Sequence, residues 1–236
     1  MTKNVNNFDF YRFVASGLVL ITHCYAFKGL ADNADWFGLF TNGHFPFSYI
    51  GVQVFFYISG YLILSSFNRS PNVLNYLIKR CLRIFPGLIG LLIVCVLLLG
   101  PLLTTMPLEQ YFSDPQTYLF FKNVSLYRLN GTIGGLFATN PQPYEVIGTL
   151  WTLAYEFTCY LSLLILAVIS MERLKYVVVI YAIVGTTLMY TPIYFNQLPQ
   201  TIPFLELKLI HFVNFTSCFA IGMLFYVYKS RISISQ

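Results

Sequence analysis

The sequence predicts an all-α polytopic membrane protein: a bundle of about six transmembrane helices with both termini on the cytoplasmic side. Three observations predict it. The 236 residues are 57% hydrophobic and only 10% charged, with mean hydropathy +0.66, whereas a soluble domain carries about 25% charged residues. Apolar stretches at roughly 10–28, 48–67, 84–104, 150–170, 175–195 and 208–228 are each long enough to cross about 30 Å of hydrocarbon as a helix. Lysine and arginine also gather in alternate connections, as the positive-inside rule requires. The 18% aromatic content suits long interfacial loops and aromatic belts.

The first apolar run, FDFYRFVASGLVLITHCYAF, contains Arg12 and His23. Their spacing is about three helical turns, which puts both on one helix face roughly 16 Å apart along the axis. Ionisable groups inside a membrane helix are costly and point to a functional site. Taken singly, Arg12 also reads as a snorkelling anchor and His23 as a helix–helix hydrogen-bonding group. A cleaved signal peptide is the rival reading of this run, and it is not expected, given the length of the run, Arg12 and the lack of a small-residue cleavage site after it.

The second run, SYIGVQVFFYISGYLILSSF, offers Gly51, Ser59 and Gly60 for close helix contact. Its aromatics Phe55, Phe56 and Tyr57 read as packing residues. The connection to the third span holds Arg69, Lys79, Arg80 and Arg83 with no acid, which marks it as cytoplasmic. Arg80 and Arg83 stand one turn apart on a helix entering the membrane near Pro86. Two planar guanidinium forks on one face suit phosphate, with Lys79 adding charge; topology alone also favours basic residues there.

A long external segment, about 105–149, mixes aromatics, prolines and glycines. Within it Tyr118–Leu129 is expected as an interfacial amphipathic helix, and Asn140-Pro141-Gln142-Pro143 as a turn-rich approach to the fourth span. In that span Glu156 and, in the first, His23 each lie about five residues from the outer end, or some 7–8 Å below the interface. Equal depth permits a His–Glu pair, in which the carboxylate fixes the tautomer and raises the basicity of a general base. Trp151 sits at the outer interface, where it is able to stack on a sugar ring. The last two spans are flanked by Arg173 and Lys175 against Glu172, and by Lys229 and Arg231. The external connections hold Asp32, Asp35, Glu109, Asp114, Glu145 and Glu206. His44 and His211 show no partner in the sequence pattern.

The five cysteines, Cys24, Cys81, Cys95, Cys159 and Cys218, are scattered in or beside apolar runs without metal or disulfide spacing and are expected as membrane-buried thiols. No metal site is expected. No catalytic serine motif, phosphate-cradling glycine loop or basic stripe for nucleic acid is present.

Four elements then align in order: Arg12 with ten residues before His23, GVQVFFYISGYLI at 51–63, KRCLRIFP at 79–86 and GTLWTLAYEFTCYL at 148–161. This set resembles the acyltransferase 3 family of bacterial membrane O-acyltransferases, whose patterns are R-x10-H, GVxxFFxxSGF, RxxRIxP and GSLWSLxxExxxY. The resemblance covers nearly the whole chain, read as a single integral-membrane domain at 1–236. It implies transfer of an acyl group, typically acetyl, from cytoplasmic acyl-CoA to a hydroxyl of a surface carbohydrate or glycolipid such as lipopolysaccharide, at the bacterial cytoplasmic (inner) membrane. Carried over by motif, His23, Glu156 and Arg12 are the expected catalytic residues. Arg80, Arg83 and Lys79 are the expected donor-binding residues, and Trp151 a substrate-binding residue. No metal cofactor is implied. Family members commonly carry further spans, so this sequence is expected to be the N-terminal part of a longer domain, completed by more C-terminal helices or a partner subunit. The competing expectations are a transporter or flippase-like binding protein, which a polar stripe in a bundle would also suit, and an inactive truncated remnant.

Overall fold

The computed structural model describes residues 7–141, 146–169, 173–189, 191, 200–203 and 205–231. Its helices are α1 (Phe8–Phe27), α2 (Trp36–Phe40), α3 (Phe47–Arg69), α4 (Val73–Val94), α5 (Gly100–Leu103), α6 (Leu108–Ser113), α7 (Pro115–Leu119), α8 (Trp151–Ile169), α9 (Leu174–Met189) and α10 (Leu209–Val227). A turn of π-helix, Cys95–Leu99, joins α4 to α5, so that one continuous helix runs from Val73 to Leu103. The short strands β1 (Thr201–Ile202) and β2 (Leu207–Lys208) pair antiparallel, Thr201 opposite Lys208. Among the described residues five helices are long and apolar enough to cross a membrane: Phe8–Phe27, Phe47–Arg69, Val73–Leu103, Trp151–Val168 and Leu209–Val227. The fifth expected span is the shorter apolar helix α9; residues 190 and 192–195 of that expectation lie outside the described residues. Phe13, Leu20, Leu82, Leu97 and Leu98 stand exposed on these helices, a surface that water would penalise and lipid would not. The chain is an all-α polytopic membrane protein.

It divides into two compact units. The first comprises residues 1–69, 165–191 and 213–236. Here small residues set the helix spacing, as the sequence pattern predicts. A side chain at Gly51 would meet the Ala15 carbonyl oxygen of α1 at 2.6 Å. Gly60 of α3 faces the backbone of Phe219 in α10, and Gly222 of α10 faces the backbone of Tyr57 in α3. This reciprocal contact lets two backbones touch, which is how membrane helices gain dispersion energy without a hydrophobic driving force. Phe56 and Phe215 stack beside it, ring centroids 4.5 Å apart.

The second unit comprises residues 70–164 and 192–212. The third span begins earlier than the sequence pattern suggested. Asn72 caps α4 by accepting from the Asn75 N–H at 2.9 Å, and Arg80 and Arg83 lie one turn apart on that helix, as expected, with Lys79 beside them. Pro86 sits inside that helix. The π-turn has a local cause. The Gly100 N–H bonds back to Cys95 O, and Pro101, next in line for the Val96 carbonyl, has no N–H to give. The Tyr111 hydroxyl donates to Val96 O instead, at 2.8 Å.

The segment expected on the outer side departs from expectation in its local structure. The amphipathic helix predicted over Tyr118–Leu129 does not form. Helix α7 stops at Leu119, a 3₁₀ turn runs over Phe120–Ser125, and Leu126 reverses the chain at φ 66°. Asn123 decides this. Its amide is buried, accepting from the Asn130 N–H at 2.7 Å and donating to the Asn130 carbonyl at 2.8 Å, and that clamp outcompetes helical propagation. Tyr111, Phe120, Ile133 and Leu136 in and around this segment are all buried. Of the predicted turn at 140–143, Gln142 and Pro143 lie outside the described residues.

Candidate active site

In the first unit α1 is continuous through both residues of interest, so Arg12 and His23 do share one helix face. The Arg12 side chain is 23% exposed, with Nη1 lying 3.9 Å from the surface carboxylate of Asp9 one turn earlier. His23 is half-buried, its ring beside Phe27. The residue next to it, Thr22, belongs to a knot that sequence reasoning missed. Asp35 is fully buried. It accepts hydrogen bonds from the Thr22 hydroxyl at 2.6 Å, the Gly38 N–H at 2.8 Å and the Phe47 N–H at 3.0 Å. The Thr22 oxygen in turn accepts from the Ser48 N–H at 2.9 Å. One carboxylate therefore ties the His23 end of α1 to the start of α2 and of α3. In the sequence Asp35 counted only as a loop charge; the aspartate ahead of a short apolar helix was the capping signal that could have found it.

In the second unit α4 and α8 pack antiparallel and bring Arg80, Arg83 and Glu156 together. The Glu156 carboxylate accepts a hydrogen bond from Tyr160, one turn on in α8, and its Oε1 lies 3.9 Å from Arg83 Nη2. Arg80 is 8% exposed. Its guanidinium carbon lies 5.6 Å from the ring centroids of both Tyr76 and Tyr160, within cation–π range. Its Nε has no hydrogen-bond partner among the described residues. The Tyr76 hydroxyl donates to the Tyr160 carbonyl at 2.9 Å, locking the two helices.

This geometry corrects the depth assigned from the sequence. Glu156 and Arg83 had been set near opposite membrane faces, but they form an ion pair and so share one level. The expected span began at 84, whereas the apolar helix runs from Val73 to Leu103 and holds Arg83 about 15 Å from its start. The two arginines are also not equivalent forks: Arg80 is enclosed by tyrosines, while the Arg83 side chain is 40% exposed. Lys79 is exposed. Tyr160 and Tyr76 were legible as i, i+4 neighbours of Glu156 and Arg80, though nothing in the sequence singled them out from other tyrosines.

Trp151 opens α8 and packs against Tyr155 at 5.7 Å and His211 at 5.0 Å. His211, which showed no partner in the sequence, thus has two aromatic neighbours. The Tyr155 hydroxyl accepts from the Lys208 N–H at 2.8 Å, which fixes the start of α10 against α8. All five cysteines are free thiols, Cys95, Cys159 and Cys218 buried.

A polytopic helical membrane protein with one buried arginine and, a turn away, a second paired to a carboxylate defines a narrow class, and comparison with known families identifies it. The family profile described as an acyltransferase domain, acyltransferase 3, matches residues 5–236; the chain belongs to this family. It is similar to nodulation protein 10 of Rhizobium leguminosarum bv. viciae, 32% identical over 216 residues, covering 85% of this chain and 54% of that protein. It is also similar to the O-acetyl transferase of Shigella phage Sf6, 33% identical over 156 residues, covering 66% of this chain and 44% of that protein. The chain spans about half the length of these curated relatives. No solved structure matches it.

Proposed function

We propose that this chain carries the donor and base residues of a membrane O-acyltransferase that moves an acyl group, acetyl in the first instance, from acyl-CoA to a hydroxyl of a surface carbohydrate or glycolipid. The observation that carries the proposal is the arginine pair. A buried guanidinium with an unpartnered nitrogen, one turn from a second that is half-exposed, leaves cationic donors over after internal pairing. Such donors suit the phosphates of CoA, with Lys79 adding charge at the exposed side. Family membership and the name of the phage relative support the reaction class.

In the proposed reaction His23 takes the proton of the acceptor hydroxyl as its oxygen attacks the thioester carbonyl. The C–O bond forms, the C–S bond breaks, and the CoA thiolate leaves and is reprotonated. Arg12 supplies positive charge on the same face of α1. Glu156 is the acid that the sequence motif supplies, and its carboxylate engages Arg83 and Tyr160. Trp151, with Tyr155 and His211, presents aromatic faces suited to a sugar ring. The active site belongs to the bacterial cytoplasmic membrane, with the arginines reached from the cytoplasm.

The test is acyl transfer from labelled acetyl-CoA in membrane vesicles bearing the full-length protein. His23→Ala is expected to abolish transfer with membrane insertion intact; full retained activity removes His23 from the proposed chemistry. Mass spectrometry of surface glycans with and without the gene identifies the acceptor.

A further inference from the structure

Glu156 stands where the phosphates of the proposed donor would bind. Its carboxylate lies 3.9 Å from Arg83 Nη2, whereas a guanidinium and a carboxylate in direct hydrogen-bond contact close to about 2.7–2.9 Å. The pair attracts without that contact. The cause is visible in α8: the same Oε1 takes the Tyr160 hydroxyl, one turn along the helix, and this bond holds the carboxylate on its own helix. The cluster therefore sets two guanidinium charges against one loosely engaged carboxylate, with Arg80 Nε unpartnered and Arg83 open on one side.

We propose that Glu156 is a displaceable counter-ion: in the empty protein it neutralises Arg83, and a phosphate-bearing donor binds by taking Arg83 from it. The inference rests on the reading of Arg80 and Arg83 as the donor's phosphate site. A phosphate monoester brings a charge of about −1.5 to −2 and three acceptor oxygens, against a single carboxylate already shared with a phenol, so the exchange runs toward the phosphate. Tyr160 keeps the released carboxylate hydrogen-bonded, which spares the protein an unpartnered buried charge. The carboxylate remains beside the incoming anion, so Glu156 lowers donor affinity. It also sharpens selectivity, because a ligand without a phosphate cannot compete for Arg83.

The experiment measures the affinity of full-length protein in nanodiscs for coenzyme A at fixed ionic strength. Glu156→Gln removes the competing charge and is expected to bind coenzyme A about 3–10-fold more tightly. Arg83→Gln is expected to weaken binding about tenfold, and adding Glu156→Gln to it should gain less affinity than Glu156→Gln gains alone, since only the repulsion and not the competition for Arg83 is left to remove. Pantetheine, which lacks the phosphates, should bind wild type and Glu156→Gln equally. If Arg83→Gln weakens coenzyme A binding but Glu156→Gln leaves it unchanged or weaker, the exchange is overturned while the donor site stands. If Arg80→Gln and Arg83→Gln both bind coenzyme A as wild type does, the donor-site reading fails and the exchange with it. Tyr160→Phe provides an independent arm should Glu156→Gln not fold. It keeps the ring beside Arg80 but frees the carboxylate to close on Arg83, so affinity should fall about 2–3-fold; unchanged or increased affinity overturns the exchange.

Discussion

At the scale of single residues, buried polar groups carry the structure's most specific information. Asp35 satisfies one hydroxyl and two backbone N–H groups, so its loss leaves buried donors unpaired at about 1–3 kcal/mol each. Asp35→Ala is therefore expected to lower the thermal midpoint of detergent-solubilised protein markedly, and to depress the proposed acyl transfer through the proposed base His23, whose helix end the knot holds. Asp32→Ala in the same loop, where the residue is exposed, should change neither. A similar argument applies to Tyr111. Tyr111→Phe strands the Val96 carbonyl that Pro101 cannot serve, with an expected loss of about 1–3 kcal/mol readable as a lower unfolding temperature. Neither role was legible beforehand. An aspartate in an acidic loop and a tyrosine among eighteen acquire meaning only from the groups that reach them.

At the scale of elements, helix spacing depends on where a methyl group fits. Gly60→Ala places a carbon against the Phe219 backbone, which no side-chain rearrangement relieves. The α3–α10 contact must open, and a loss on the order of 2–4 kcal/mol is expected, measured as reduced yield and thermal stability. Gly17→Ala on α1 meets nothing within 4 Å and should be neutral or stabilising by about 0.5–1 kcal/mol through helix propensity. The sequence identified Gly51 and Gly60 as contact residues because small residues in a membrane helix have few other uses. It did not identify their partners, which lie far along the chain. The predicted helix over Tyr118–Leu129 failed for the converse reason: periodicity describes one face of a segment, and Asn123 offered the backbone a better bond across the loop.

At the scale of the whole molecule, composition and span length made the class of fold plain, and basic residues in alternate connections make a prediction about orientation. In a variant with its native cysteines replaced, a cysteine introduced at Ser70, between α3 and α4, should label with a membrane-impermeant thiol reagent only from the cytoplasmic side. One introduced at Gln116, in the external segment, should label only from the outer side. Labelling from the opposite sides would invert the topology and remove the proposed cytoplasmic access to Arg80 and Arg83. What the sequence determined alone was the all-α membrane class and the family, since hydropathy, charge and motif are properties of the chain itself. What only the tertiary structure decided was that Glu156 meets Arg83 and Tyr160, that Arg80 is enclosed by tyrosines, and that Asp35 ties three helices together. A carboxylate's partner depends on the register in which two antiparallel helices pack, and a shift of about one turn, some 5.4 Å, exchanges one partner for another without altering the sequence pattern.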